Sequence, residues 1–277
     1  MAVCHKIFYS TLWAKPRTEN HWDEEISVEQ QIQWADIAKD LERLSEIELP
    51  RCSFSQDEPV DLFLFSDASK KAYGFVTYAV QKETRNFVFC KPKVAPLIKR
   101  SLPQLELLGC LVSLQGLVNI LETFKHVSVG NVYLALDAQV VLSWVLSDTI
   151  KTKNTYTANR IKDVKKIVFD IKEKFNVDVQ FKYVPTSENP GDLLTRGLTL
   201  EQFKNKQELW FYGPSWIRSS VVQWPSSDLQ CLNSDSQNLV MCTVINSVES
   251  LEPIVSFDRY SSYSKLLGVT SNVLKFA

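Results

Sequence analysis

Three apolar, strand-like runs follow one another in the first third of the sequence, and they restrict the possible folds more than any other feature. Tight links join the runs, which are Asp61–Ser66, Ala72–Val80 and Asn86–Cys90. Strands joined in this way pair with their neighbours in the chain, because a parallel connection needs a long crossover. The pattern therefore predicts a three-stranded meander.

Helices and strands alternate after the meander. Ser101 as N-cap and Pro103 in the first turn mark the start of a helix that runs to about Phe124. This helix is apolar on most sides, so we expect it to be buried. The remaining predicted elements are a strand at Asn131–Leu136, helices at Gln139–Leu146 and Tyr156–Phe175, a strand at Val177–Tyr183 and a helix opened by the turn VPTSENPGD.

The order of these elements, βββ-α-β-α-α-β-α, predicts an α/β (α+β) fold. We expect a five-stranded mixed sheet with helices on both faces. A crossover helix permits the first and fourth strands to lie side by side and parallel at the centre of the sheet.

The composition is that of an ordinary globular protein, with 45% hydrophobic and 23% charged residues among 277. A net charge of −1 gives no overall basic field for nucleic acid, so only local charge can indicate such binding. Six cysteines without a CxxC pair and only three histidines argue against a structural zinc site. No signal peptide or transmembrane segment is apparent, which predicts a reduced intracellular protein, cytoplasmic or nuclear.

The two ends of the chain differ from its middle. Residues 19–48 are acidic with an apolar stripe, and Ser27 with Gln30 can form a capping box, which predicts a solvated amphipathic helix without chemistry. Pro225–Asn238 is rich in Ser, Asp and Asn and is typical of a linker.

Four acidic residues stand beside apolar or tightly constrained chain. Asp67 follows the first strand, Glu106 lies in the first turn of the buried helix, Asp137 ends the fourth strand and Asp192 opens the last helix. Each has an ordinary explanation except Asp67, because Glu106 can favour a helix dipole and the other two can cap helices. The topology can nevertheless bring all four together, where they would repel unless divalent cations balance them. Two such cations ~3.5–4 Å apart form the clamp for in-line phosphodiester hydrolysis.

The segment from Asp61 to about Ile217 resembles the ribonuclease H-like domain of Bel/Pao-type LTR retrotransposon polyproteins. The motifs that carry the resemblance are FSDASKKAYG, KPKVAPLIKRSLPQLELLG, LDAQVVLSWV, YTANRIKDV, YVPTSENPGDLLTRG and LWFYGPSWI. The flanks resemble the region after reverse transcriptase and the lead-in to integrase. We therefore expect a helical segment at residues 1–58, the ribonuclease H-like domain at 59–217, a linker at 218–250 and a truncated integrase-like start at 251–277.

The resemblance implies a metal-dependent endonuclease that cuts the RNA strand of an RNA–DNA hybrid. It implies that Asp67, Glu106, Asp137 and Asp192 are the catalytic residues and hold two Mg²⁺ or Mn²⁺ ions. Reverse transcriptase and integrase portions of the same polyprotein are its implied partners, although the chain lacks the adjacent Asp-Asp pair of a polymerase and the zinc module of an integrase. Ala138 stands where the family usually has Ser. No histidine lies near the final turn, which predicts slow product release.

Two basic segments offer a surface for a nucleic-acid backbone. Residues 89–105 contain Lys91, Lys93, Lys99 and Arg100, and residues 151–166 contain Arg160 among other cations. A solvated helix face explains the second segment equally well. Arg196 lies one helical turn after Asp192 and can orient that carboxylate.

Two alternatives remain open. The chain can be a catalytically inactive remnant of a retroelement that binds nucleic acid or acts as a scaffold. A DEDD-type exonuclease on the same fold is weaker, because it wants a different spacing and a Tyr or His near the last Asp, for which Tyr183 is only a remote candidate.

Overall fold

A computed structural model of the chain describes residues 2–13, 25–48, 50, 54–55, 58–147, 149–150, 152–219 and 224–225. Within residues 1–229 the chain forms one compact unit. Most of the predicted linker and all of the predicted integrase-like start lie outside the described residues, so the domain boundaries stay a prediction.

Five strands form one mixed sheet, as predicted. They are β1 (Val60–Ala68), β2 (Ala72–Gln81), β3 (Thr84–Val94), β4 (Val129–Leu136) and β5 (Val179–Tyr183). The strand order is β3-β2-β1-β4-β5. Strands β1, β2 and β3 form the antiparallel meander, whereas β1 pairs with β4 and β4 with β5 in parallel. The expected parallel neighbours at the centre of the sheet are therefore confirmed.

Eight helices are described. They are α1 (Ala2–Trp13), α2 (Val28–Glu42), α3 (Leu102–Thr123), α4 (Gln139–Leu146), α5 (Thr155–Phe175), α6 (Pro190–Arg196), α7 (Leu200–Lys204) and α8 (Gln207–Tyr212). Short 3₁₀ turns lie at Arg43–Glu46, Thr186–Glu188 and Ser215–Arg218. The element order from β1 to α6 is the predicted one.

Strand β3 is longer than the sequence indicated. We expected the strand to end at Cys90, yet Lys93 pairs with Tyr73 and Val94 with Ala72, so β3 continues through Pro92. Strand β3 is an edge strand. A proline is tolerated there because its missing N–H need not enter a ladder.

Helix α3 starts where its caps predicted. The Ser101 N–H donates to Gln104 Oε1 at 3.2 Å, and Pro103 lies in the first turn. Among the described helices, α3 is the one with the length and apolar composition of a membrane span, but 78% of that apolar window is buried in the protein. Its side chains therefore fill a core.

The sheet has an apolar cluster on each face, and β1 contributes to both. Leu62 and Leu64 belong to the larger cluster, which includes the buried side chains of α3. Phe63 and Phe65 belong to the second cluster, with Ile217 from the last 3₁₀ turn. A strand buried on both faces reads as a continuous apolar run, which explains the sequence of β1.

The two N-terminal helices pack on each other, and α2 also contacts α7. Phe8 of α1 is buried and stacks on Trp34 of α2, with ring centroids 5.5 Å apart. The predicted capping box of Ser27 and Gln30 is present. Asp40 Oδ2 accepts from the Leu200 N–H at 3.1 Å, so α2 also contacts the start of α7.

Candidate active site

Two aspartates lie side by side because β1 and β4 are parallel. Ser66 of β1 pairs with Leu136 of β4, and the next residue in each chain is an acid, Asp67 or Asp137. Asp67 is still part of β1 and faces Gly74 across the β1–β2 ladder. The carboxyl ends of the two central strands therefore place two carboxylates together.

A glycine allows α3 to bring Glu106 to the same place. A Cβ added at Gly109 would lie 2.7 Å from Ser66 Oγ and 3.2 Å from the Asp67 carbonyl oxygen. Helix α3 therefore lies very close to the end of β1. Residues three apart share one side of a helix, so Glu106 also faces this end of the sheet.

Carboxylate oxygens of Asp67, Glu106 and Asp137 lie within 4.8 Å of one another. Asp67 and Glu106 are only 4% and 6% exposed, and Asp137 is half-buried. Asp192 lies outside that group of three. Its charge nevertheless raises the pKa of Asp67, Glu106 and Asp137, so it borders the group.

Helix capping does not explain these acids. Glu106 lies in the second turn of α3, not in the first turn as we expected, because the helix begins at Leu102. Ala138, and not Asp137, is the N-cap of α4. Asn189 caps α6 by accepting from the Gly191 N–H at 3.0 Å. Helix termini therefore do not account for Glu106 or Asp137, whereas Asp192 lies in the first turn of α6, where an acid is favourable.

The cluster resists ionisation. Burial, followed by the charge of Asp67, raises the pKa of Glu106 to about 10. Burial raises the pKa of Asp67 to about 7, against a hydrogen bond from Thr195 that lowers it. Burial also raises the pKa of Asp137. The site is therefore poorly balanced without a positive charge.

A hard divalent cation fits the residues that are present. Glu106 Oε2 and Asp137 Oδ1 are buried, and neither has a hydrogen-bond partner in the described part of the chain. Three carboxylates offer only oxygen ligands, the donor set that Mg²⁺ and Mn²⁺ prefer. Asp67, Glu106 and Asp137 can thus hold a metal ion.

Uncharged side chains that the sequence analysis did not identify support the acids. The Thr186 hydroxyl donates to Asp137 Oδ2 at 2.9 Å, and the Thr195 hydroxyl donates to Asp67 Oδ2. Asn189 Nδ2 donates to the Ser66 carbonyl at 3.0 Å. Two of these residues, Asn189 and Thr195, lie three positions either side of Asp192. Their three-residue distance from Asp192 is the feature of the sequence that could have indicated them.

A side-chain hydrogen bond between Trp216 and Glu188 stabilises the 3₁₀ turn that contains Thr186. Trp216 Nε1 donates to Glu188 Oε2 at 2.5 Å. Since Thr186 and Glu188 belong to one 3₁₀ turn, the last described turn of the domain is linked to Asp137 through two side-chain bonds.

Arg196 pairs with Asp192, its neighbour one turn earlier in α6, through Nε and Oδ1. The arginine side chain is 63% exposed and the aspartate 17% exposed. A role for this pair in catalysis stays a prediction.

Two of the five residues that we expected to contact nucleic acid lie over the same aromatic ring. The guanidinium carbon of Arg100 lies 3.9 Å from the centroid of the Tyr156 ring, and that of Arg160 lies 5.5 Å from it. Arg160 also pairs with Asp163 at 2.9 Å. The Nε atoms of both arginines are buried without a hydrogen-bond partner among the described residues.

The other three residues predicted to contact nucleic acid are lysines that precede Arg100 in the sequence. Within the described part of the chain they share no ring or ion pair with the two arginines. Lys91 and Lys93 belong to edge strand β3, and Lys99 lies in the loop before α3. Tyr183, named for the exonuclease alternative, ends β5 and packs against the larger apolar cluster.

We expect Gly191→Ala to destabilise the protein by about 1–3 kcal/mol, the usual effect of overpacking. A Cβ at Gly191 would lie 2.9 Å from Asp67 Cβ, an atom that no side-chain rotation can move away. Urea unfolding at equilibrium measures the change. Gly109→Ala is the comparison and should be milder, since the nearest atom there is the rotatable Ser66 hydroxyl. Equal stability of the Gly191 variant and the wild type would contradict the close packing of α6 on β1.

Residues 1–138 match the family model described as the Pao retrotransposon-like RNaseH-like domain. The matched residues include Asp67, Glu106 and Asp137, and the match stops before Asp192. The match and the observed sheet confirm the predicted ribonuclease H-like fold. A comparison with curated protein sequences finds no match.

Several solved structures are similar to this chain. RNase H1 from the halophilic archaeon Halobacterium salinarum is 12% identical with a TM-score of 0.37, and the alignment covers 53% of this chain and 99% of that chain. LC11-RNase H1, isolated from compost and solved with an RNA/DNA hybrid, is 10% identical with a TM-score of 0.37 and coverages of 53% and 99%. The foamy viral protease-reverse transcriptase, also solved with an RNA/DNA hybrid, is 10% identical with a TM-score of 0.35 and coverages of 66% and 27%.

Proposed function

Because residues 1–138 belong to the Pao retrotransposon-like RNaseH-like domain family, we propose that the protein is a metal-dependent endonuclease that hydrolyses the RNA strand of RNA–DNA hybrids. One observation carries the proposal. Three carboxylates, two buried and one half-buried, lie within 4.8 Å of one another at the ends of two parallel strands, and burial together with the charges of neighbouring acids raises their pKa values. Perturbed carboxylates of this kind are concentrated at functional sites, and a bound cation would compensate their charge.

The roles of the acids follow from their positions. Asp67, Glu106 and Asp137 would hold the metal, and Asp192, at the border of the group, would complete the site for a second ion. Two Mg²⁺ or Mn²⁺ ions would activate the attacking water and stabilise the leaving 3′-oxygen. The threonine bonds to Asp67 and Asp137 keep one oxygen of each carboxylate engaged. Arg196 would limit the movement of Asp192.

The basic residues would contact the substrate backbone. An RNA–DNA hybrid is recognised through phosphates and 2′-hydroxyls with little base readout. The guanidinium groups of Arg100 and Arg160 lie over the Tyr156 ring, which would hold two positive charges close together for a phosphate. Lys91 and Lys93 of β3 and Lys99 of the following loop would supply further contacts to the backbone. Reverse transcriptase and integrase portions of one polyprotein are the proposed protein partners.

Cleavage of a hybrid labelled on both strands tests the proposal. In Mg²⁺ or Mn²⁺ we expect the RNA strand to be shortened internally and the DNA strand to stay intact. The same oligonucleotides as single-stranded RNA and as duplex DNA are the controls, together with EDTA. Cleavage that persists in EDTA, or that is equal on single-stranded RNA, would contradict a metal-dependent hybrid nuclease.

Metal titration separates this proposal from an inactive remnant. A remnant would show no Mg²⁺- or Mn²⁺-dependent rise in melting temperature that requires the carboxylates. The presence of all four acids favours the enzyme. The exonuclease alternative stays the weaker one, because it wants a different spacing of the acids, and its candidate Tyr183 packs against the larger apolar cluster.

A further inference from the structure

Helix α6 is attached to the end of β1 at several points around Asp67. Asn189 at its start bonds to the Ser66 carbonyl at 3.0 Å, and the Ser69 hydroxyl donates to the Thr195 carbonyl near its end at 3.0 Å. Between these attachments, Gly191 allows the helix to touch Asp67 itself. The helix is therefore fixed on both sides of the aspartate.

Thr195 directs its hydroxyl to the Asp67 carboxylate. Its side chain is fully buried, and its Oγ1 donates to Asp67 Oδ2. A threonine in a helix commonly bonds back to the carbonyl four residues earlier. An alanine or leucine would suit a buried helical position better, because both have a higher helix propensity and carry no hydroxyl that needs a partner. The bond to Asp67 accounts for the threonine.

We propose that Thr195 is a positioning residue that fixes the rotation of the Asp67 carboxylate and leaves Oδ1 for a cation. This inference rests on the proposed function, since it takes the acidic cluster to be a metal site. A carboxylate at the end of a strand can rotate about its own bonds, and a bond to one oxygen defines where the other one lies. Partners of this kind typically change metal affinity by about 10–100-fold when they are removed.

Mn²⁺ affinity of the full chain, measured by electron paramagnetic resonance of the free ion, tests the inference. Thr195→Val keeps the shape and removes the hydroxyl, and we expect it to weaken Mn²⁺ binding by about tenfold or more. The wild type and Thr195→Val form one pair with and without the hydroxyl. Thr195→Ser and Thr195→Ala form a second such pair, because they differ from each other only in the hydroxyl. Serine should bind Mn²⁺ far more tightly than alanine. In hybrid cleavage the variants without the hydroxyl should lose kcat and keep KM.

Thr77→Val is the matched control. Thr77 is also fully buried, in β2, and its hydroxyl has no hydrogen-bond partner in the described part of the chain. Loss of that hydroxyl should leave Mn²⁺ affinity unchanged. An effect of Thr77→Val equal to that of Thr195→Val would show a general effect of buried hydroxyls and overturn the inference.

The outcomes separate the inference from the proposed function. A Thr195→Val variant that binds Mn²⁺ as tightly as the wild type would show that Thr195 has no positioning role. Thr195→Ala takes its place if the valine variant does not fold. The metal site would still stand in that case, provided that Asp67→Asn weakens Mn²⁺ binding. Equal weakening in the serine and alanine variants would also overturn the inference, because the hydroxyl would then be irrelevant. Wild-type protein that binds no Mn²⁺ would overturn both.

Discussion

Replacement of Asp67 by asparagine is expected to reduce hybrid cleavage by on the order of a thousandfold or more, as removal of a central catalytic group usually does. Asparagine has the shape of aspartate but carries no negative charge to hold a cation. Asp67 is the acid most closely surrounded by the proposed machinery, with Thr195 on one oxygen and Asp137 and Glu106 within 4.8 Å. Cleavage and Mn²⁺-dependent stabilisation should disappear together.

The same variant should be more stable than the wild type without metal. Burial raises the pKa of Asp67 from 3.8 to about 7, so at pH 8 the folded protein holds an ionised carboxylate in an unfavourable place. Its removal should stabilise the protein by about 1–3 kcal/mol and raise Tm by roughly 3–10 °C. Melting in EDTA at pH 8 measures this. A damaged fold would give the opposite sign.

Asp61→Asn is the control at the opposite end of β1. Asp61 Oδ1 accepts from the Asn131 N–H at 2.6 Å, and an asparagine oxygen can accept the same bond. This variant should keep its cleavage activity and its response to Mn²⁺. Hybrid cleavage by Asp67→Asn at the wild-type rate would refute the proposed mechanism.

The second large effect concerns pH. Metal-free wild-type protein should lose stability as pH rises from about 4 towards 10. The unfolded chain releases the protons of Asp67 and Glu106 near their ordinary pKa values of 3.8 and 4.5, whereas the folded protein retains them to about 7 and about 10. Between these limits the folded state binds more protons than the unfolded state, so an increase in pH favours unfolding. Below pH 4 this contribution is fully present.

Glu106→Gln should flatten much of this dependence, because glutamine stays neutral in both states. We expect the difference in unfolding free energy between variant and wild type to change by about 3 kcal/mol between pH 5 and pH 8 in EDTA. Urea unfolding at several pH values measures it. Mn²⁺ should reverse the trend for the wild type, since metal binding requires ionised ligands.

Glu122→Gln supplies the control on the same helix. Glu122 lies near the other end of α3, and its bond to Lys174 lowers its pKa. Its replacement should leave the loss of stability between pH 5 and 8 in place. Identical pH profiles of the wild type and Glu106→Gln would show that Glu106 ionises freely and that the cluster is not closely coupled.

The sequence predicted the sheet because its decisive signals are local. Apolar runs and tight links predicted the meander, and Ser101 and Pro103 predicted the start of α3. The positions of Asp67 and Asp137 at the carboxyl ends of two strands predicted from the sequence were enough to predict that the two acids lie side by side. The end of β3 was predicted too early, since the strand continues from Cys90 through Pro92 to Val94, as an edge strand permits.

The polar surroundings of the site could not be predicted in the same way. Thr186 and Thr195 carry no charge and belong to no periodic pattern, so their importance appears only when distant segments meet. Glu106 was expected in the first turn of α3, whereas it is the fifth residue of the helix and lies just beyond that turn. Asp192 lies outside the closest group of three, although its charge adds to the raised pKa values of all three, so its place in the site stays a prediction.

The bond between Thr195 and Asp67 joins residues 128 positions apart. During synthesis on a ribosome, β1 with its aspartate emerges long before α6 exists. Until α6 has left the exit tunnel, the acid at the end of β1 lacks its threonine partner and Asp192 is absent. The four acids and the threonine can therefore come together only after α6 has been translated.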